Sequence, residues 1–209
     1  VTNTEIVNPV LNGNEQQTGE ASLGSISHYY YNQLDNYAKI LYRGFEQNIN
    51  NMQSGIYTID FGTQFNDLLN SSNGEEQLNI AFQSAWNAFT YDYVDIFYID
   101  ITKLVLTTHT TTIGSYSTHT VELSRGNNAS YLTDGFSSYE NVKKEKEYVA
   151  GIKEQVVSRL QGYAPAEQIR YLHNWLIDNI EYDTTYSQKN IHNIYGAFRN
   201  GTAVCEGYA

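Results

Sequence analysis

The residues best suited to chemistry lie at the C-terminal end of the sequence, in Tyr195-Gly196-Ala197-Phe198-Arg199-Asn200-Gly201-Thr202-Ala203-Val204-Cys205-Glu206-Gly207-Tyr208-Ala209. A glycine-bracketed turn there delivers the single cysteine of the chain to the start of a helical turn. A thiol at a helix start is favoured as thiolate, because the partial positive charge of the N-terminus can lower its pKa from about 8.5. Backbone N–H groups of the same turn can face a developing oxyanion. The competing reading of Cys205 is a small buried hydrophobe, since free cysteines are among the most buried residues. One cysteine excludes a disulfide framework and a multi-cysteine metal site.

Histidines offer less. His109 and His119 share a predicted hairpin without a carboxylate or a third ligand nearby, and read as surface strand residues. His173 falls on a predicted helix and His192 in a loop. The exposed-looking tyrosines Tyr29-Tyr30-Tyr31 and Tyr91/Tyr93 read as alternating between core and rim, with a sugar- or peptide-binding surface as the sharper alternative.

Several elements must hold these residues in place. Residues 1–27 are polar and read as a loose leader. Tyr30, Leu34, Tyr37, Leu41, Phe45 and Ile49 step by three or four and predict a helix over about 28–50. Ile56–Phe61 alternates as a short strand or an extended connector, and Ser72-Asn73-Gly74-Glu75 fits a capping box opening a helix that carries Leu78, Phe82, Trp86, Phe89 and Tyr93. β-Branched and aromatic runs over 95–111 and 116–124, around Gly114, predict a β-hairpin. A third helix follows from Lys143, with Val149, Ile152, Val156 and Leu160 on its buried face and Gly162 as its stop. Pro165 opens a fourth, with Ile169, Leu172, Leu176 and Ile180 facing inward.

Composition sets the limits. The 209 residues are 41% hydrophobic, enough to bury a core, so wholesale disorder is excluded. Lys and Arg number 12 against 23 Asp and Glu, a net charge of −11, which leaves no basic footprint for nucleic acid or for an anionic membrane surface. Residues 1–100 carry two basic side chains, Lys39 and Arg43, against twelve acidic ones, whereas 101–209 carry ten against eleven. That step points to two regions. No stretch has the roughly 18 apolar residues of a membrane helix. Neither a signal peptide nor an initiator Met is visible at Val1, so the expectation is that the sequence begins inside a longer product. The abundance of Tyr (19) with only 2 Pro gives the look of an exported surface.

The segments Leu172–Asp183, Tyr195–Phe198 and Gly201–Ala209 together resemble the bacterial transglutaminase-like superfamily over about residues 164–209. The resemblance implies a papain-like thiol enzyme. Cys205 would be its nucleophile, attacking a carboxamide or peptide carbonyl, with a histidine and an acidic partner downstream of it and no cofactor or metal. Neither His173 nor His192 matches the family's catalytic histidine. The chain stops four residues after Cys205, so the gene product is expected to continue or to have been shortened. The fold class expected is α+β. It comprises a leader (1–27), a mostly helical N-terminal region with a β-hairpin (28–162) and the first helices of a truncated transglutaminase-like domain (164–209). The function expected is that of part of a secreted or surface-attached bacterial cysteine enzyme acting on protein or peptide amides, inactive in this form. The alternative is a non-catalytic surface or interaction protein on a degenerate version of the same scaffold.

Overall fold

A computed structural model describes residues 2–7 and 28–208. Of the leader expected over 1–27, Thr2–Val7 is instead a strand, and residues 8–27 lie outside the described residues. The architecture is α+β and mostly helical, and it divides into two compact units. The units do not divide at 162–164. One comprises residues up to Tyr93 together with Asp100–Tyr131, and the other Val94–Ile99 together with Leu132–Ala209. Among the described residues, no helix is long and apolar enough to cross a membrane.

In the first unit, strand β1 (Thr2–Val7), helix α1 (Asn36–Met52), strand β2 (Ile59–Gly62), helices α2 (Asn66–Leu69) and α3 (Gly74–Asp92), and strands β3 (Leu104–Ile113) and β4 (Tyr116–Arg125) follow in order. The sheet is antiparallel with strand order β1-β3-β4-β2. The first helix starts later than its apolar periodicity suggests, because Asp35 caps it and accepts from the Ala38 N–H at 2.7 Å. The tyrosines before it go elsewhere. Asp92 accepts from the backbone N–H groups of Tyr30 (3.3 Å) and Tyr31 (3.1 Å) and from the Tyr42 hydroxyl (2.9 Å), which ties this segment to the end of α3. Burial and that carboxylate push the Tyr42 phenol far above its ordinary value. The capping box expected at Ser72–Glu75 does not form. Asn73 precedes α3 without a side-chain cap, and Glu75 and Glu76 instead meet the helix dipole in its first turn. The core is aromatic, with Phe45 packed against Phe82, Trp86 and Phe89 at ring separations of 6.1, 5.4 and 5.5 Å.

The hairpin is β3–β4, but residues 95–103 are not part of it. They hold turns and a 3-10 turn at Ile101–Lys103, capped by Asp100 through the Thr102 N–H at 3.0 Å. His109 pairs across from Thr120, and His119 from Thr110. Successive pairs point to opposite faces of the sheet, so the two imidazoles cannot share a metal ion.

The second unit contains α4 (Tyr139–Ser158), α5 (Pro165–Asn179), β5 (Glu181–Tyr182), α6 (Ile194–Asn200), β6 (Thr202–Ala203) and α7 (Cys205–Tyr208). Helix α4 belongs here through its buried face, on which Glu145 lies with Val142, Val149 and Val156. Arg199 on α6 lies 3.5 Å from the buried Glu145 carboxylate and 4.4 Å over the Tyr148 ring, and the Tyr148 hydroxyl donates to the Phe198 carbonyl at 3.4 Å. Residues 94–99 join it because Phe97 stacks on Tyr195 at 5.3 Å and meets Phe136 at 5.8 Å. Pro165 opens α5 as expected, and Glu167 reaches back to accept from the Ala164 N–H at 3.0 Å. The buried face expected of α5 is only partly realised. Ile180 is buried just past its end, Leu172 and Leu176 are half-buried, and Ile169 is 69% exposed. Periodicity gives a helix its apolar stripe but not the partner that covers it.

Candidate functional site around Cys205

The Cys205 turn is assembled from two short elements and one loop. Strands β5 and β6 run parallel, with Glu181 paired to Thr202 and Tyr182 to Ala203. The N–H groups of Glu181 and Asp183 donate to the Gly201 and Ala203 carbonyls at 2.7 and 3.0 Å. Gly201 ends α6 in the left-handed region (φ 65°), the conformation that lets the chain reverse from helix into β6. Behind this pair lies a small core of Ile180, Ala197 and Ala203, flanked by Trp175, Leu176, Phe198 and Tyr208. The Tyr208 hydroxyl donates to the Ile180 carbonyl at 2.6 Å and its ring stacks on Tyr182, so the end of α7 is tied to β5.

The loop before α6 supplies the second side of the turn. Ile191 is buried, and its carbonyl accepts from the Val204 N–H at 2.9 Å, one residue before the cysteine. Gly196 and Gly207 flank this loop. A Cβ on Gly196 would overlap the Asn190 carbonyl, and one on Gly207 would lie against the Ile191 carbonyl and the Ala203 methyl. Both glycines of the sequence motif therefore permit close backbone approach. Asn193 caps α6 by accepting from the Gly196 N–H at 3.1 Å.

Cys205 is exposed and is the first residue of α7. Its Sγ–H donates to Glu206 Oε2 at 3.0 Å, and His192 Nδ1 lies 3.2 Å from the same oxygen. One carboxylate oxygen thus bridges thiol and imidazole. The hydrogen bond to Glu206, with some burial and the carboxylate's charge, raises the thiol pKa above its ordinary value, while the N–H groups of Glu206 and Cys205 pull the other way. The lowering expected from a helix start is therefore outweighed by the neighbouring carboxylate. Glu206 is correspondingly held below its ordinary value, first by the thiol and also by its own N–H and His192. Tyr182 sits beside the turn, its phenol raised by a hydrogen bond to Tyr186 and by proximity to Cys205, whose backbone N–H acts in the opposite sense.

Asp183, which ends the Tyr-Asp motif, shapes the adjoining loop. Its carboxylate accepts from the Gln188 N–H (2.9 Å), the Thr185 hydroxyl (2.7 Å) and the Thr185 N–H (2.9 Å). These donors lower its pKa, the Gln188 amide most. A depressed carboxylate stabilises the fold above its unfolded pKa of about 3.9, and that contribution disappears as pH falls through the lower folded value. The Thr185 and Gln188 amide-proton shifts should therefore titrate together with a midpoint below about 3.9. A midpoint at or above that value would mean that the loop does not hold the carboxylate.

His173 lies on α5 with Nδ1 3.3 Å from the Asn174 side chain, and His109 and His119 lie on the hairpin of the first unit. The structure thus brings His192 to Cys205 through Glu206, a link that a sequence separation of fourteen residues does not announce. Glu206 was the available signal, being an ionisable neighbour next to the thiol in the chain. Among the described residues, no group of three or more His, Cys, Asp or Glu could hold a metal ion. Comparison with known proteins finds no matching family model and no matching curated protein.

Proposed function

We propose that Cys205 is the nucleophile of a transglutaminase-like cysteine enzyme, bacterial and secreted or surface-attached, acting on protein or peptide amides by acyl transfer through a thioester. The observation that supports this reading is the placement of an exposed thiol on the first residue of a turn set by Gly201, β6 and the buried Ile191 loop. In the reaction the thiolate sulfur attacks the amide carbon, an oxyanion forms, and the carbon–nitrogen bond breaks as the leaving nitrogen takes a proton. A base must first remove the thiol proton. Glu206 suits that role poorly, since a carboxylate held below its ordinary value is far too weak a base for a thiol held above it.

The histidine and acid that the resemblance implies have no counterpart in residues 1–209, so the 209-residue chain is expected to turn over a glutamine-containing peptide no faster than its Cys205→Ala variant. Ammonia release and amine incorporation, measured on both proteins, check this. Turnover by the parent chain that is lost in the variant would show that the machinery is complete without further residues.

A second reading, a non-catalytic surface or interaction protein, is favoured by one observation: the partner of the sulfur is a carboxylate rather than an imidazole. Sequence downstream of Ala209 separates the two. A histidine followed by an Asp or Asn on a strand supports the enzyme, and their absence supports the scaffold.

A further inference from the structure

We infer that Glu206 is an autoinhibitory latch on Cys205, holding the sulfur as a protonated hydrogen-bond donor until the carboxylate is drawn away. This rests on the reading of Cys205 as a nucleophile, and it concerns how that nucleophile is kept at rest. The geometry is specific. Sγ–H and His192 Nδ1 both address Oε2 of the same carboxylate, at 3.0 and 3.2 Å, so His192 on the preceding loop steadies the acceptor that the thiol uses.

The ionisable and polar groups facing the sulfur come from each neighbouring element. They are Glu206 on α7, the N–H groups of Cys205 and Glu206, and the Tyr182 phenol on β5, with Tyr186 behind it. Of these, Glu206 is the one that supplies a negative charge, and it is the largest influence on the thiol. A carboxylate that accepts from S–H stabilises the thiol and repels the thiolate, so the contact opposes the form that reacts. The latch is also free to open. The Glu206 and His192 side chains are each 60% exposed, so rotation of Glu206 toward solvent, or its capture by an incoming cation, breaks the contact without disturbing the core.

The test is alkylation of the 209-residue chain by iodoacetamide, followed by mass shift at its single cysteine. The thiolate sulfur forms the new bond to the methylene carbon, iodide leaves with the electron pair, and the thiol proton goes to solvent. Each pKa unit removed raises the thiolate fraction about tenfold and lowers its intrinsic nucleophilicity about threefold, a net gain of about threefold at neutral pH. Glu206→Gln is expected to label two- to fivefold faster at pH 7.5, with its rate-against-pH midpoint moved down toward about 8.5. Glu206→Asp, which keeps the charge but withdraws it by a methylene, is expected to fall between the two. Superimposable profiles for the parent and Glu206→Gln, or slower labelling of the variant, would overturn the latch. Glu206→Asp matching the parent would overturn the specific contact in favour of charge alone. Because alkylation reads the thiol and not acyl transfer, these outcomes are independent of whether the protein turns over an amide.

Discussion

Gly196→Ala is expected to destabilise the second unit by about 3 kcal/mol, although alanine is the better helix former by about 1 kcal/mol. Gly196 lies within α6, so propensity alone predicts a gain. Packing reverses the sign. The added methyl would overlap the Asn190 carbonyl and approach the Ile191 nitrogen at 3.2 Å. That backbone cannot easily yield. It is held by the Asn200 side-chain bond to the Lys189 carbonyl at 3.3 Å and the Val204 bond to the Ile191 carbonyl at 2.9 Å. Moving it displaces His192 from Glu206 as well, so the imidazole resonances should shift together with the loss of stability. Chemical denaturation of the parent and variant provides the number. A variant as stable as the parent, or more stable, would show that the loop does not lie against α6 as described.

Phe45→Ala is expected to cost about 4 kcal/mol and to collapse the cooperative unfolding of the first unit, within the range for removing a buried aromatic ring. Phe45 is fully buried at the crossing of α1 and α3, with three aromatic neighbours from α3 within about 6 Å. The cavity left would be walled by Phe82, Trp86 and Phe89, rigid rings that relax poorly into it. Trp86 fluorescence against urea follows the transition. The second unit should be unaffected, and an equal loss in both would show that the two melt as one.

Apolar periodicity and alternation are local properties of the chain, so they place the four long helices and the body of the hairpin. The stripe Leu41–Phe45 marks α1, Leu78–Phe89 marks α3, Val149–Val156 marks α4, and Pro165 marks the start of α5. The sequence also marked out Cys205 as the residue to watch, since one thiol in a glycine-bracketed turn is visible without coordinates. Boundaries and partners were decided by the tertiary structure. Asp35 rather than periodicity starts α1, and Asp92 collects the tyrosines that the pattern would have placed in that helix. The Glu145–Arg199 pair draws α4 into the C-terminal unit, against a boundary expected at 162–164. At the candidate site, local chemistry pointed to an activated thiol at a helix start, whereas the folded chain turns Glu206 onto the sulfur and brings His192 to the same oxygen. A helix dipole can be anticipated from residue order, but the side-chain oxygen a thiol meets depends on rotamers and on a loop held by Ile191 and two glycines. The thiol's contact is a rotamer choice between adjacent residues, whereas the approach of His192 is packing between distant segments, which spacing along the chain does not encode.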